Sequence, residues 1–210
     1  MNRIFWLLLS GCWGGSCQAP CAGADEPLVW QDLLAENVVG GWQASAFGIS
    51  GKEEISAQRI ILGMGNPFTG VTWHGVAIPQ VDYEIELVAQ KTMGVDFFCG
   101  LTFPVGEDFC TLVLGGWGGS LTGLSCIDDI DASQNFTRSF HRYDLGVDYT
   151  IRLRVEQQRL RAWLQDGLLF DVDLSGQALS IRPEVQPSLP LGIACYNTAT
   201  IVSAFRVRTL

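Results

Sequence analysis

The sequence predicts an all-β fold, a sandwich of two antiparallel sheets, on three observations. Several segments alternate apolar and polar residues with period two, short turns rich in Gly, Asn and Asp separate them, and no stretch of the body carries helical spacing. The chain has 210 residues, enough for one large sandwich with a sizeable core and too few for two catalytic domains.

In chain order, residues 1–24 read as an export leader and are set apart from the fold. Asn2 and Arg3 precede the apolar run Ile4 to Leu9, and small residues follow. Ala22-Gly23-Ala24 fits a signal-peptidase cut, whereas Leu9-Ser10-Gly11-Cys12 fits a lipobox with an acyl anchor on Cys12. Either way the expectation is an exported protein of the periplasm, the exterior or the cell envelope. No apolar run reaches the roughly 20 residues that a spanning helix needs, so no transmembrane span is expected. The domain is then residues 25–210.

Residues 55–63 and 70–74 are strand-like, and residues 82–91 alternate from Tyr83 through Ile85, Leu87 and Ala89, with a turn expected at Thr92-Met93-Gly94. Residues 95–103 and 108–114 form the next hairpin. A turn centred between Pro104 and Val105 sets Cys99 opposite Cys110, as a cross-strand disulfide or as two adjacent buried thiols. With Cys126 and Cys195 these are the four body cysteines. They have no metal-site spacing, and they permit either two disulfides or buried free thiols. Residues 115–142 are the least strand-like. They open on Gly115-Gly116-Trp117-Gly118-Gly119, pass through a strand at 121–127, and continue through Asp128, Asp129, Asp131 and Asn135; a long polar insertion is where function usually sits. The clearest strand follows, with Tyr149, Ile151, Leu153 and Val155 on one face. A meander continues through Arg159 to Gln165, an expected Asp166-Gly167 turn, and Leu168 to Leu174. Residues 191–196 and 201–207 complete about ten strands.

Thirteen basic against 22 acidic residues leave a net charge of −9, which repels phosphate backbones and excludes nucleic acid as the expected partner. The body lacks a Gly-x-Ser-x-Gly elbow, an HExxH helix and a phosphate loop, so neither metal nor organic cofactor is expected.

Trp30-Gln31-Asp32-Leu33, Gly41-Trp42, Tyr83-Glu84-Ile85-Glu86, Gly100-Leu101-Thr102-Phe103, Pro190-Leu191-Gly192-Ile193-Ala194 and Phe205-Arg206-Val207 occur in an order that resembles the 3-keto-disaccharide hydrolase-like domain. The resemblance spans residues 28–210. It implies a concanavalin A-like (laminin G-like) jelly roll, an exported bacterial protein, and a saccharide or glycoside as partner, bound and in some members hydrolysed. The chain departs from the family where polar residues usually line the concave sheet, carrying Phe98-Cys99-Gly100-Leu101 and Phe109-Cys110-Thr111-Leu112 instead. The alternative expectation is a non-catalytic sugar-binding or cell-envelope interaction module.

The site residues follow from chemistry. Trp117, flanked by glycine pairs, offers a ring for the apolar face of a sugar, or else plugs the sandwich end. Asp128, Arg142 and Arg182 supply acceptors and donors for hydroxyls, and a solvated acidic turn is the plainer account of Asp128. Glycoside hydrolysis calls for paired carboxyl groups, for which Asp131 and Glu184 are the candidates. His141 is the titrating partner near neutrality.

Overall fold

The computed structural model describes residues 29–210; the leader and Cys12 lie outside them. The first strands are β1 (Gln31–Asp32), β2 (Trp42–Ala44), β3 (Glu53–Ser56), β4 (Arg59–Leu62), β5 (Phe68–Trp73), β6 (Tyr83–Gly94), β7 (Cys99–Val105) and β8 (Asp108–Gly115). A helical turn, Gly116–Gly119, leads to β9 (Leu121–Ser125) and β10 (Ser139–Phe140). Then come β11 (Asp148–Glu156), β12 (Arg159–Leu164), β13 (Gly167–Asp173), a 3₁₀ segment Pro183–Ser188, β14 (Gly192–Tyr196) and β15 (Thr198–Thr209). These fifteen exceed the expected ten because β1, β2 and β10 are too short to show alternation and residues 55–63 divide into a hairpin.

One sheet runs β13-β12-β11-β6-β15-β4-β3, with β1 also on β15; the other runs β10-β9-β8-β7-β14-β5-β2. All their pairings are antiparallel. Inward residues Ile85, Leu87, Leu153 and Val155 of the first sheet and Leu101, Leu112 and Ile193 of the second are fully buried in one core. Each such side chain contributes about 1.5–3 kcal/mol. Trp42 packs edge-on against Trp73 and Phe205, at 5.3 and 4.9 Å between centroids, and donates its indole N–H to the Leu33 carbonyl at 3.0 Å.

Three local expectations are corrected. The β7–β8 turn is Gly106-Glu107, with Gly106 at φ 62°, so Phe103 and not Cys99 lies opposite Cys110; Pro104 stays inside β7. A two-residue hairpin with glycine at its first central position matches the strand twist, and it moves the pairing away from a Cys99–Cys110 bridge. All four body cysteines are free and buried. The β12–β13 turn centres on Gln165-Asp166, where Gln165 takes the positive φ, and Gly167 already pairs with Leu164. Thr92-Met93-Gly94 is no turn but the end of β6, paired with Thr198 and Ala199 of β15.

The two outer faces differ. On the first sheet, Arg154 and Arg208 both pair with the fully buried Glu84, Arg206 pairs with Glu86 at 2.6 Å, and Arg152 lies 4.5 Å over the Trp163 ring. On the second, small residues alternate outward: Gly100, Thr102, Thr111, Gly123 and Ala194. That face has room for segments to cross it. Pro183–Ser188 does so, the Thr72 hydroxyl donating to the Pro187 carbonyl at 2.6 Å. A Cβ on Gly192 would stand 2.5 Å from the Ser188 carbonyl oxygen. Among the described residues no helix is long and apolar enough to cross a membrane.

Candidate functional site

Where the covering segment stops short of the sheet end, a cleft of about 370 Å³ opens over the second sheet. Its floor is Thr111, Val113 and Ser125. Phe68, Phe97 and Tyr196 make one wall, Arg182, Glu184 and Val185 the other, and Trp117 and Asp96 close the end.

Backbone geometry presents Trp117. Gly115, Trp117, Gly118 and Gly119 have φ of 77°, 48°, 93° and 103°, a left-handed path that side chains disfavour and glycine accepts. Asp96 fixes this path: one carboxylate oxygen accepts the Phe97 N–H at 2.8 Å and the other the Gly118 N–H at 3.1 Å. Trp117 is 44% exposed. Across the cleft, Pro183 keeps Arg182 extended, at φ −66° and ψ 142°. Its guanidinium donates to Asp131 at 3.1 Å and to Glu184 at 2.8 Å. The hydrogen bond from Arg182 holds the Glu184 carboxyl below its ordinary range, so Glu184 is ionised in neutral solution.

Of the predicted residues, the cleft thus brings together Trp117, Arg182 and Glu184. Asp131 stands behind Arg182, one oxygen committed to it and the other to the Ser133 N–H and hydroxyl at 2.8 and 2.6 Å. Asp128, Arg142 and His141 do not line it. Asp128 and Asp129, at φ 50° and 61°, are the central pair of a tight turn between Ile127 and Ile130. The Asp128 carboxylate accepts the Ala178 N–H at 2.8 Å. Arg142 pairs with Asp144 at 2.7 Å in solvent. The His141 Nε2 contacts the Ser139 hydroxyl at 3.1 Å, and burial lowers its pKa.

The polar insertion therefore spends its second half on its own backbone. Asn135 donates to the Leu124 and Ile130 carbonyls at 2.7 and 3.0 Å and accepts from Thr137, leaving its side chain buried. No cluster of three or more His, Cys, Asp or Glu is placed to hold a metal among the described residues. Cys99 and Cys110 face the core, so the thiols do not line this face; Thr111 does. Asp96, Phe68, Phe97 and Tyr196 were not singled out from sequence. The adjacent pair Phe97-Phe98 carried the available signal, since neighbours in extended chain point to opposite faces and one ring must leave the core.

No family model matches the chain, and no curated protein is similar to it in sequence. Solved structures are. The carbohydrate-binding module CBM66 from Bacillus subtilis is 12% identical, with a TM-score of 0.53 over 80% of this chain and 96% of that one. The exoplasmic/lumenal domain of VIP36 in its Ca²⁺/Man3GlcNAc-bound form is 10% identical, with a TM-score of 0.55 over 84% and 88%. A beta-1,3-glucanase from Mycobacterium marinum is 9% identical, with a TM-score of 0.52 over 88% and 100%. At these identities the likeness is one of fold: the chain is a two-sheet, concanavalin A-like jelly roll.

Proposed function

We propose that the protein binds a saccharide in the cleft over the second sheet and does not hydrolyse it. The observation that carries this is the pairing of walls, with aromatic rings on one side and the Arg182–Glu184 ion pair on the other. A sugar ring has the same two characters. Its C–H face packs on an aromatic ring, and its hydroxyl pairs match a guanidinium donor and a carboxylate acceptor. The structural neighbours, a carbohydrate-binding module and a Man3GlcNAc-bound domain among them, support the same class of ligand. Hydrolysis needs a protonated acid beside a second carboxylate. Glu184 is held ionised by Arg182, and Asp96 and Asp131 spend both oxygens on existing hydrogen bonds.

Titration calorimetry with a panel of gluco-, manno- and fructo-oligosaccharides tests this. Binding is expected in the wild type and is lost in Trp117→Ala and weakened about tenfold in Glu184→Gln, the cost of one charged hydrogen bond. Failure of every panel member to bind overturns the proposal. Turnover of native or 3-keto disaccharides that disappears in Glu184→Gln replaces it with the hydrolase reading that the family resemblance implies.

A further inference from the structure

Five aromatic residues stand at the same end of the second sheet, one for each of five neighbouring positions in its strand order. Trp117 follows β8, Phe97 precedes β7, Tyr196 ends β14, Phe68 begins β5 and Phe47 follows β2. The registers place them together. Cys99 pairs with Leu114, Ala194 with Gly100, Tyr196 with Phe68 and Ala44 with Val71, so each aromatic falls at the same edge of the ladder.

Four of the rings form a continuous series, and Trp117 stands past Phe97, where Asp96 holds the Gly118 N–H. Phe97 and Tyr196 are 5.7 Å apart at 28°, Tyr196 and Phe68 5.0 Å apart, and Phe68 and Phe47 5.0 Å apart at 13°. All are part-exposed. The series runs perpendicular to the strands for four interstrand steps of about 4.8 Å, on the order of 20 Å. Each step is close to the span of one pyranose ring. The charged residues along the cleft are Asp96, Glu184 and Arg182, and Arg182 is already shared between two carboxylates. A further carboxylate on the ligand would meet Arg182 already engaged by two carboxylates, and the chain's net charge of −9 opposes one.

We infer that the site takes an uncharged polysaccharide segment of about four sugar residues, laid along this aromatic series from Trp117 to Phe47. The inference rests on the saccharide reading above and adds the ligand's length, direction and charge. Phe47 lies outside the cleft lining, so it belongs to the binding surface only if the ligand is long.

The test is calorimetry with laminari-, cello- and manno-oligosaccharides of two, four and six units, on the wild type and on Phe47→Ala. In at least one series, affinity is expected to rise about tenfold from two units to four, as further rings gain aromatic contact, and to level off at six. Phe47→Ala is expected to remove that gain and leave the disaccharide affinity unchanged, a split that general loss of structure would not produce. Phe47→Leu, which keeps an apolar side chain beside Gly70, gives the same split if the first variant folds poorly. Equal affinity at all lengths overturns the inference and leaves the saccharide reading standing. A preference for oligouronates over their neutral counterparts overturns the charge assignment. Absence of binding at every length removes both.

Discussion

The left-handed conformation of Trp117 makes a prediction that separates stability from binding. A non-glycine residue at φ 48° and ψ 50° costs about 1–2 kcal/mol relative to glycine. Replacing Trp117 by Ala or by Gly removes the same ring. The residue is 44% exposed, so roughly half of a tryptophan's area is buried, and losing the ring costs up to about 3 kcal/mol in either variant. The two variants differ only in backbone preference. In an ordinary helix Gly is about 1 kcal/mol worse than Ala. Here Gly is expected to be better by about 1 kcal/mol, a difference of about 3 °C in Tm for a domain of this size. Paired thermal and urea unfolding of the variants measures it, and calorimetry on the same samples is expected to find saccharide binding lost in both. An alanine variant as stable as the glycine one refutes the strain argument. Binding retained by the glycine variant refutes the assignment of the ring to the ligand.

Three further outcomes are expected. Because Arg182 lowers the Glu184 pKa from an ordinary 4.5, the ion pair's contribution is complete above that value and is lost as pH falls through the lowered one. Saccharide affinity is therefore expected to be flat from pH 8 to 5 and to fall below about 4.5; a midpoint between 5 and 7 by calorimetry points to another group. Burial pushes the Cys99 thiol up, and those of Cys110 and Cys195 to about 12, so none of the three is expected to react with a thiol reagent at pH 8 before unfolding. Peptide mapping that finds rapid native labelling at any of them contradicts the packing described. Glu84→Gln leaves Arg154 and Arg208 without their shared buried carboxylate and is expected to cost about 3 kcal/mol, roughly 10 °C in Tm; a loss under about 1 kcal/mol would mean that solvent already screens the pair.

The first sheet was more legible in the sequence than the second, for a physical reason. The β11–β12–β13 meander shows period two because its outer face meets solvent and carries arginines and carboxylates opposite core residues such as Leu153 and Leu160. All seven residues of β7 are buried, since loops cover the outer face of that sheet as well. Alternation fades when both faces are buried. The β7–β8 register then depended on where the turn fell, and Pro104 marked a strand residue rather than the turn. Gly106, two residues later, held the information, because only its positive φ closes a two-residue loop there.

The site was legible in part, and the division follows from what loop polar groups must do first. Backbone outside a ladder has amide and carbonyl groups to satisfy, and short Asp and Asn side chains are the ones that reach them. Asp128, Asp131 and Asn135 are engaged in this way, so the acidic insertion holds its own loops together. Arg182 escapes because its partners, Asp131 and Glu184, are side chains, and its Glu184 contact faces the cleft. Trp117 escapes because its indole offers no acceptor to backbone N–H groups, although it shares the left-handed turn with the glycines beside it. The aromatic wall was hidden for the opposite reason: Phe68, Phe97 and Tyr196 lie in or beside strands, where a single ring reads as core until the register shows which face it takes. In a fold that buries both faces of one sheet, an open cleft can form where the covering segment ends. There a ring can leave the core while its strand stays paired, and the cleft occupies that place here.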